Sequence, residues 1–144
     1  MLDAAIARIG ARVSALTGRL HGAADFARLM ASNDIRSMQS GAYVLSMSLR
    51  GGQARAATGA FIQDVEEGLS VVLVQRSEDP RALRALDTID AQRDAVIAAL
   101  LGWVPAGAPG PMRLVQGRML NVGAGLLVFQ IDFAVSTQLR INPS

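Results

Sequence analysis

Residues 61–103, FIQDVEEGLSVVLVQRSEDPRALRALDTIDAQRDAVIAALLGW, read in succession as a long strand, a capped turn and a long helix. Phe61, Val65, Leu69, Val71 and Leu73 recur at alternate positions, with Asp64, Glu66, Ser70 and Arg76 in the other register, so one face of the strand needs a core. Between Leu69 and Val74 nearly every residue is apolar, which predicts cover on both faces of that half. Ser77-Glu78-Asp79-Pro80 supplies a helix start: a carboxylate that accepts from free first-turn amides, and a proline at the first helical position, where no donor is lost. The helix is therefore predicted from Pro80. Leu83, Leu86, Ile89, Val96, Ile97 and Leu100 form its apolar stripe, and Gly102 followed by Pro105 stops it. Strand and helix are adjacent and both one-sided, so each buries its apolar face by packing on the other.

The 144 residues suffice for one domain, 1–144, with one core. The absence of cysteine excludes a disulfide framework, thiolate catalysis and zinc–sulfur sites, and suits a reducing compartment. The longest apolar runs, Ala95 to Leu101 and Gly125 to Phe129, fall well short of the roughly 20 residues of a membrane helix. Asp3, Arg8 and Arg12 do not fit a signal peptide, so the chain reads as soluble. Its basic residues are all arginine, scattered along the chain, and the net charge is only +2, which is not the footprint of a nucleic-acid binder.

Before the central stretch, Leu2, Ile6, Ile9, Val13, Leu16 and Leu20 predict an amphipathic helix from about Leu2 to Leu16, ended by Thr17-Gly18 and docked on the chain's own sheet. A second short helix, Ala23 to Ala31, follows on Phe26, Leu29 and Met30 and closes at Ser32-Asn33-Asp34. His21 is the one histidine, with Asp25 four residues on. Without a nucleophile elbow or an oxyanion motif it reads as a turn histidine beside a helix-start acid. Tyr43, Leu45, Met47 and Leu49 alternate with Val44, Ser46 and Ser48, predicting a strand with one buried face. Arg50 to Gly59, rich in glycine and small residues, is predicted to be a mobile hairpin loop. It runs from strand to strand with no lysine, so it is no phosphate loop, but it offers Arg50 and Arg55 to a partner.

Arg93 falls in the apolar stripe of the long helix; it reads as a snorkelling side chain near Asp90 or Asp94, with an intersubunit ion pair as the alternative. Asp64, Glu66 and Glu67 read as a solvated strand face rather than a hard-cation site. Ala106 to Pro111 is a loop, and Met112 to Val122 a strand disturbed by a bulge at Gly117. After a turn at residues 121–125, Leu127, Phe129, Ile131, Phe133, Val135 and Leu139 alternate with Gln130, Asp132, Ser136, Gln138 and Arg140. At ~3.3 Å per residue that strand is about 40 Å long, the width of such a domain, so part of it is expected to overhang and either to bend back or to pair with another chain, with its outer part, Phe133 to Leu139, expected at a subunit boundary. Hairpin-linked strands between helices predict an α+β fold: a largely antiparallel four-stranded sheet with the helices on one face.

Asp79-Pro80, the helix from Leu86-Asp87 to Ala95-Val96, its exit Ala99-Leu100-Leu101-Gly102-Trp103-Val104-Pro105, the segment Leu114-Val115-Gln116-Gly117-Arg118-Met119-Leu120 and the Phe129 to Phe133 strand together resemble the tail terminator family of tailed bacteriophages, in particular the Mu-like minor tail proteins. The Gly-Trp-x-Pro exit and the Gly-Arg strand are its most specific pieces, and the resemblance runs over nearly the whole chain; Val128 departs from the family in place of an aromatic. The resemblance implies a tail-terminator-like fold and a virion protein at the head-proximal end of the tail, assembled in the host cytoplasm. It implies a homo-oligomer, a six-membered ring that caps the tail tube, stops its polymerisation and meets the head–tail connector. DNA would pass through its channel without specific binding, and no membrane, cofactor, metal or catalysis is implied. On this reading Arg50 and Arg55 are the candidate tube or channel contacts, and Arg93, Phe133, Val135 and Leu139 the candidate subunit interface. The alternative is a small nucleic-acid-binding or other soluble α+β adaptor without catalysis. A hydrolase or transferase would need a convergent acid/base pair, which the sequence does not present.

Overall fold

The computed structural model describes residues 1–32, 39–57, 59–77, 83–123 and 125–142. In chain order these form helix α1 (Leu2–Arg12), a 3-10 turn (Ser14–Leu16), strand β1 (Leu20–His21), helix α2 (Ala23–Ser32), strands β2 (Gly41–Ala57) and β3 (Ala60–Arg76), helix α3 (Leu83–Leu100), and strands β4 (Arg113–Gly123) and β5 (Leu126–Ile141). The class is α+β, as expected. Among the described residues the sheet has five strands rather than four, in the order β1-β2-β3-β5-β4. The added strand is Leu20 and His21, which pair in parallel with Ala42 and Tyr43; the other pairings are antiparallel. The predicted caps at Asp79-Pro80 and Asn33-Asp34 lie outside the described residues.

β3 is the centre. It pairs with β5 without a register shift from Arg76↔Leu126 to Phe61↔Ile141, and with β2 from Gly41↔Val74 to Ala57↔Ala60. The expected loop from Arg50 to Gly59 is therefore mostly strand: Arg50 to Ala57 continue β2, and the chain reverses at Gly59, whose φ of 72° is the left-handed conformation that glycine adopts freely. Glycine and alanine have poor strand propensity, but the donors and acceptors along β3 need partners, and pairing overrides propensity here.

The registers divide the apolar residues between two faces. Val44, Leu69, Val71, Leu73, Ile131, Phe133 and Val135 share one core with Ala5 and Ile9 of α1 and with Ile89, Val96 and Leu100 of α3. Tyr43, Leu45, Val72, Val74, Leu126 and Val128 form a second cluster on the opposite face, where Phe26 and Leu29 of α2 pack on them. The run from Leu69 to Val74 is thus buried on both sides, as its composition predicted. For the same reason the helices do not all lie on one face: a second apolar face needs its own cover, and α2 supplies it.

Register also explains where alternation misled. Ser46 pairs with Leu69 and Ser48 with Gly68, so Met47 is an extra residue; it is exposed, and Leu49 emerges on the α1/α3 side instead of beside Tyr43 and Leu45. In β4 the extra residues are Val115 and Leu120, not Gly117. Gly117 pairs regularly with Ile131, and the Phe129 ring lies over it so closely that an added Cβ would stand 3.0 Å from a ring carbon.

α1 ends at Arg12, earlier than its stripe implied, and the Thr17 hydroxyl donates to the Gly10 carbonyl at 2.7 Å. Arg8 joins α1 to the end of α3: its Nε donates to the Ala99 carbonyl at 2.6 Å, and its guanidinium carbon lies 5.3 Å from the centre of the Trp103 ring. This supplies a cation where the α3 carbonyls run out of partners. Beyond α3, the amide of Gly102 donates to the Met112 carbonyl and the amide of Met112 to the Trp103 carbonyl, which draws Met112 into the core.

Candidate functional site

The helices cover only part of the sheet, because β2, β3 and β5 run past them. On the α1/α3 side, reading across β2, β3 and β5, the successive rows are Leu49–Glu67–Val135, Gly51–Val65–Thr137, Ala54–Gln63–Leu139 and Ala56–Phe61–Ile141. Val135 and Val65 are still buried, but Leu49, Phe61, Leu139 and Ile141 are 62%, 39%, 43% and 57% exposed. Side chains of this size sharing a bare face are a feature of surfaces that meet a partner.

The opposite face turns polar from Ser70 and Asp132, which lie behind the covered core, outward into the bare half. Ser70, buried between the strands, donates to Asp132 Oδ1 at 2.5 Å; Gln130 donates to the same oxygen at 2.8 Å and Gln116 to Oδ2 at 3.0 Å. Burial pushes the Asp132 carboxyl up, but these three hydrogen bonds and the nearby Arg118 outweigh it and hold the group below its ordinary value of 3.8. Further out, Arg113 pairs with Glu66, and Asp64 accepts from Gln138 at 3.1 Å and faces Arg55 at 3.6 Å. Two of the three carboxylates of the acidic cluster are thus engaged by arginine. Among the described residues no three His, Cys, Asp or Glu side chains converge to hold a metal ion, and no helix is long and apolar enough to cross a membrane.

The residues singled out from sequence fall in different places. Arg50 and Arg55 are on the polar face of β2, not on a loop; Arg50 sits across from Glu66. Arg93 is accounted for within the chain: it bonds Asp94 at 3.0 Å and Asp90 at 3.2 Å, and its guanidinium carbon lies 5.8 Å from the centre of the Phe129 ring. Phe133 and Val135 are buried in this chain's own core, at 1% and 0% exposure, because that part of β5 is still within the reach of the helices. Leu139 alone of the three β5 candidates is on the surface. His21 stacks near Tyr43, ring centres 5.0 Å apart, with Asp25 3.8 Å away, and serves the packing of α2. Sequence reasoning missed Leu49, Phe61 and Ile141. The signal for the last two was present: their alternation continues past the last residues that the helices cover.

The described residues form a single mixed sheet whose outer half bears large exposed apolar side chains. A protein-family model described as phage tail terminator protein matches residues 2–143, and the chain belongs to that family, a family of structural phage tail proteins. No curated protein matches it.

Proposed function

We propose that this protein caps the tail tube as a closed ring, six-membered to match the tube, that it stops tube polymerisation, and that it presents the surface to which the head–tail connector joins. It does so without catalysis, in the virion, after assembly in the host cytoplasm. Family membership supports this reading, and the observation that carries it here is the three-stranded half-sheet with exposed Phe61, Leu139 and Ile141, which a chain acting alone would have no reason to keep bare. Passage of DNA needs only a channel and no base-reading groups. The test is removal of the protein from the phage that encodes it. Tails of uncontrolled length that fail to join heads are expected, and return of this chain restores both. Tails of normal length joined to heads in its absence exclude the role.

A further inference from the structure

The uncovered half of the sheet has an open edge on either side. Val135-Ser136-Thr137-Gln138-Leu139-Arg140-Ile141 of β5 is paired with β3 on one side and with no described strand on the other, since β4 reaches only to Ala134. This edge is free of the devices that keep strands apart: it has no register shift, no proline, no lysine and a single charge, Arg140. On the far side no described strand pairs with β2 beyond Tyr43. Both strands run antiparallel to β3, and so parallel to each other.

We propose that the β5 edge from Val135 to Ile141 receives β2 of a second copy of this chain, in parallel, so that the sheet continues from one subunit into the next. The side chains suit the joint. On the α1/α3 side β2 presents Gly51, Ala54 and Ala56, all small, whereas β5 presents Thr137, Leu139 and Ile141, all larger, and joining the edges sets large beside small. It also makes Phe61, Leu139 and Ile141 part of one apolar belt shared by successive copies. Polarity suits it too. A β5-to-β5 contact would end at two copies, while a β2-to-β5 contact leaves one edge free for each further neighbour and closes only as a ring. Finally, β2 carries an extra residue at Met47 and another between Gly51 and Ala54. Bulges add local twist and bend, which a sheet closing on itself requires.

This joint rests on the ring reading above, and its test separates the two. The chain has no cysteine, so Ala54→Cys and Leu139→Cys can be introduced singly and together at exposed positions. The variants are assembled with tail tubes, imaged and oxidised. Because Ala54 and Leu139 of one chain flank Gln63, a short bis-maleimide, which tolerates a register offset of a residue or two, is applied instead to an equal mixture of the two single variants, where it cannot link a chain to itself and covalent dimers are expected. The expected result is a ladder of covalent multimers from the double variant and none from either single variant. Covalent dimers from Leu139→Cys alone overturn the joint in favour of a two-fold contact. Rings visible on the tubes with neither a ladder from the oxidised double variant nor dimers from the mixed single variants overturn the joint and leave the cap reading standing. No rings and no tube ends decorated by any variant or by the natural chain overturn both.

Discussion

Asp132 accepts from Ser70, Gln130 and Gln116, one on its own strand and one on each neighbouring strand. A charged acceptor so engaged stabilises the sheet where apolar packing gives way to polar cover, and Asp132→Asn turns part of that acceptor into a donor facing donors. The expected loss is about 1–2 kcal/mol at neutral pH, read from urea denaturation. Because the folded carboxyl titrates below 3.8, its contribution is complete above that value and is lost as pH falls through the folded value. The gap between the natural chain and Asp132→Asn should therefore shrink between pH 5 and pH 2; a gap that stays constant would remove the charge from the explanation. Arg113 and Glu66, both nearly half exposed, contribute much less to stability.

β5 changes role along its length, and two substitutions mark the change. Val135 has no exposed surface, so Val135→Asp buries a charge without a partner and is expected to unfold the isolated chain, a loss of several kcal/mol. Leu139→Asp, on the bare half, should leave the thermal midpoint of the isolated chain almost unchanged while preventing assembly. Circular dichroism and a mass measurement on the two variants decide it, and an unfolded Leu139→Asp would return that residue to the core. β5 was legible in the sequence because its register against β3 never slips, so parity alone gives the face of every residue. β2 and β4 were not. Their extra residues at Met47, Val115 and Leu120 reset parity, and nothing in the local alternation marks where a partner strand forces such a reset. The stretch from Arg50 to Ala57 was hidden differently, since its glycines and alanines resemble a loop until β3 is beside them. The short strand β1 is two residues long and has no pattern to read. Leu139 was found as a surface candidate, but an open edge is set by where β4 stops, at Ala134, and that lies in no single segment.

For the assembled protein, a joint made of main-chain hydrogen bonds and apolar side chains should be indifferent to added salt. Rings that persist from about 50 mM to about 0.5 M sodium chloride are expected, and rings that fall apart over that range would point to Arg50, Arg55 or Arg140 as the adhesive groups. β3 bears on a different matter, the order in which a nascent chain acquires its shape. Its partner β2 is already made when β3 leaves the ribosome, but its other partner, β5, follows only after α3 and β4 have been synthesised. Until then the apolar run from Leu69 to Val74 has one unpaired side, and pairings so distant along the chain form slowly. Translation that stops short of β5 leaves that run without its partner, so an incomplete chain is a sticky one, prone to clump before it can reach a tail.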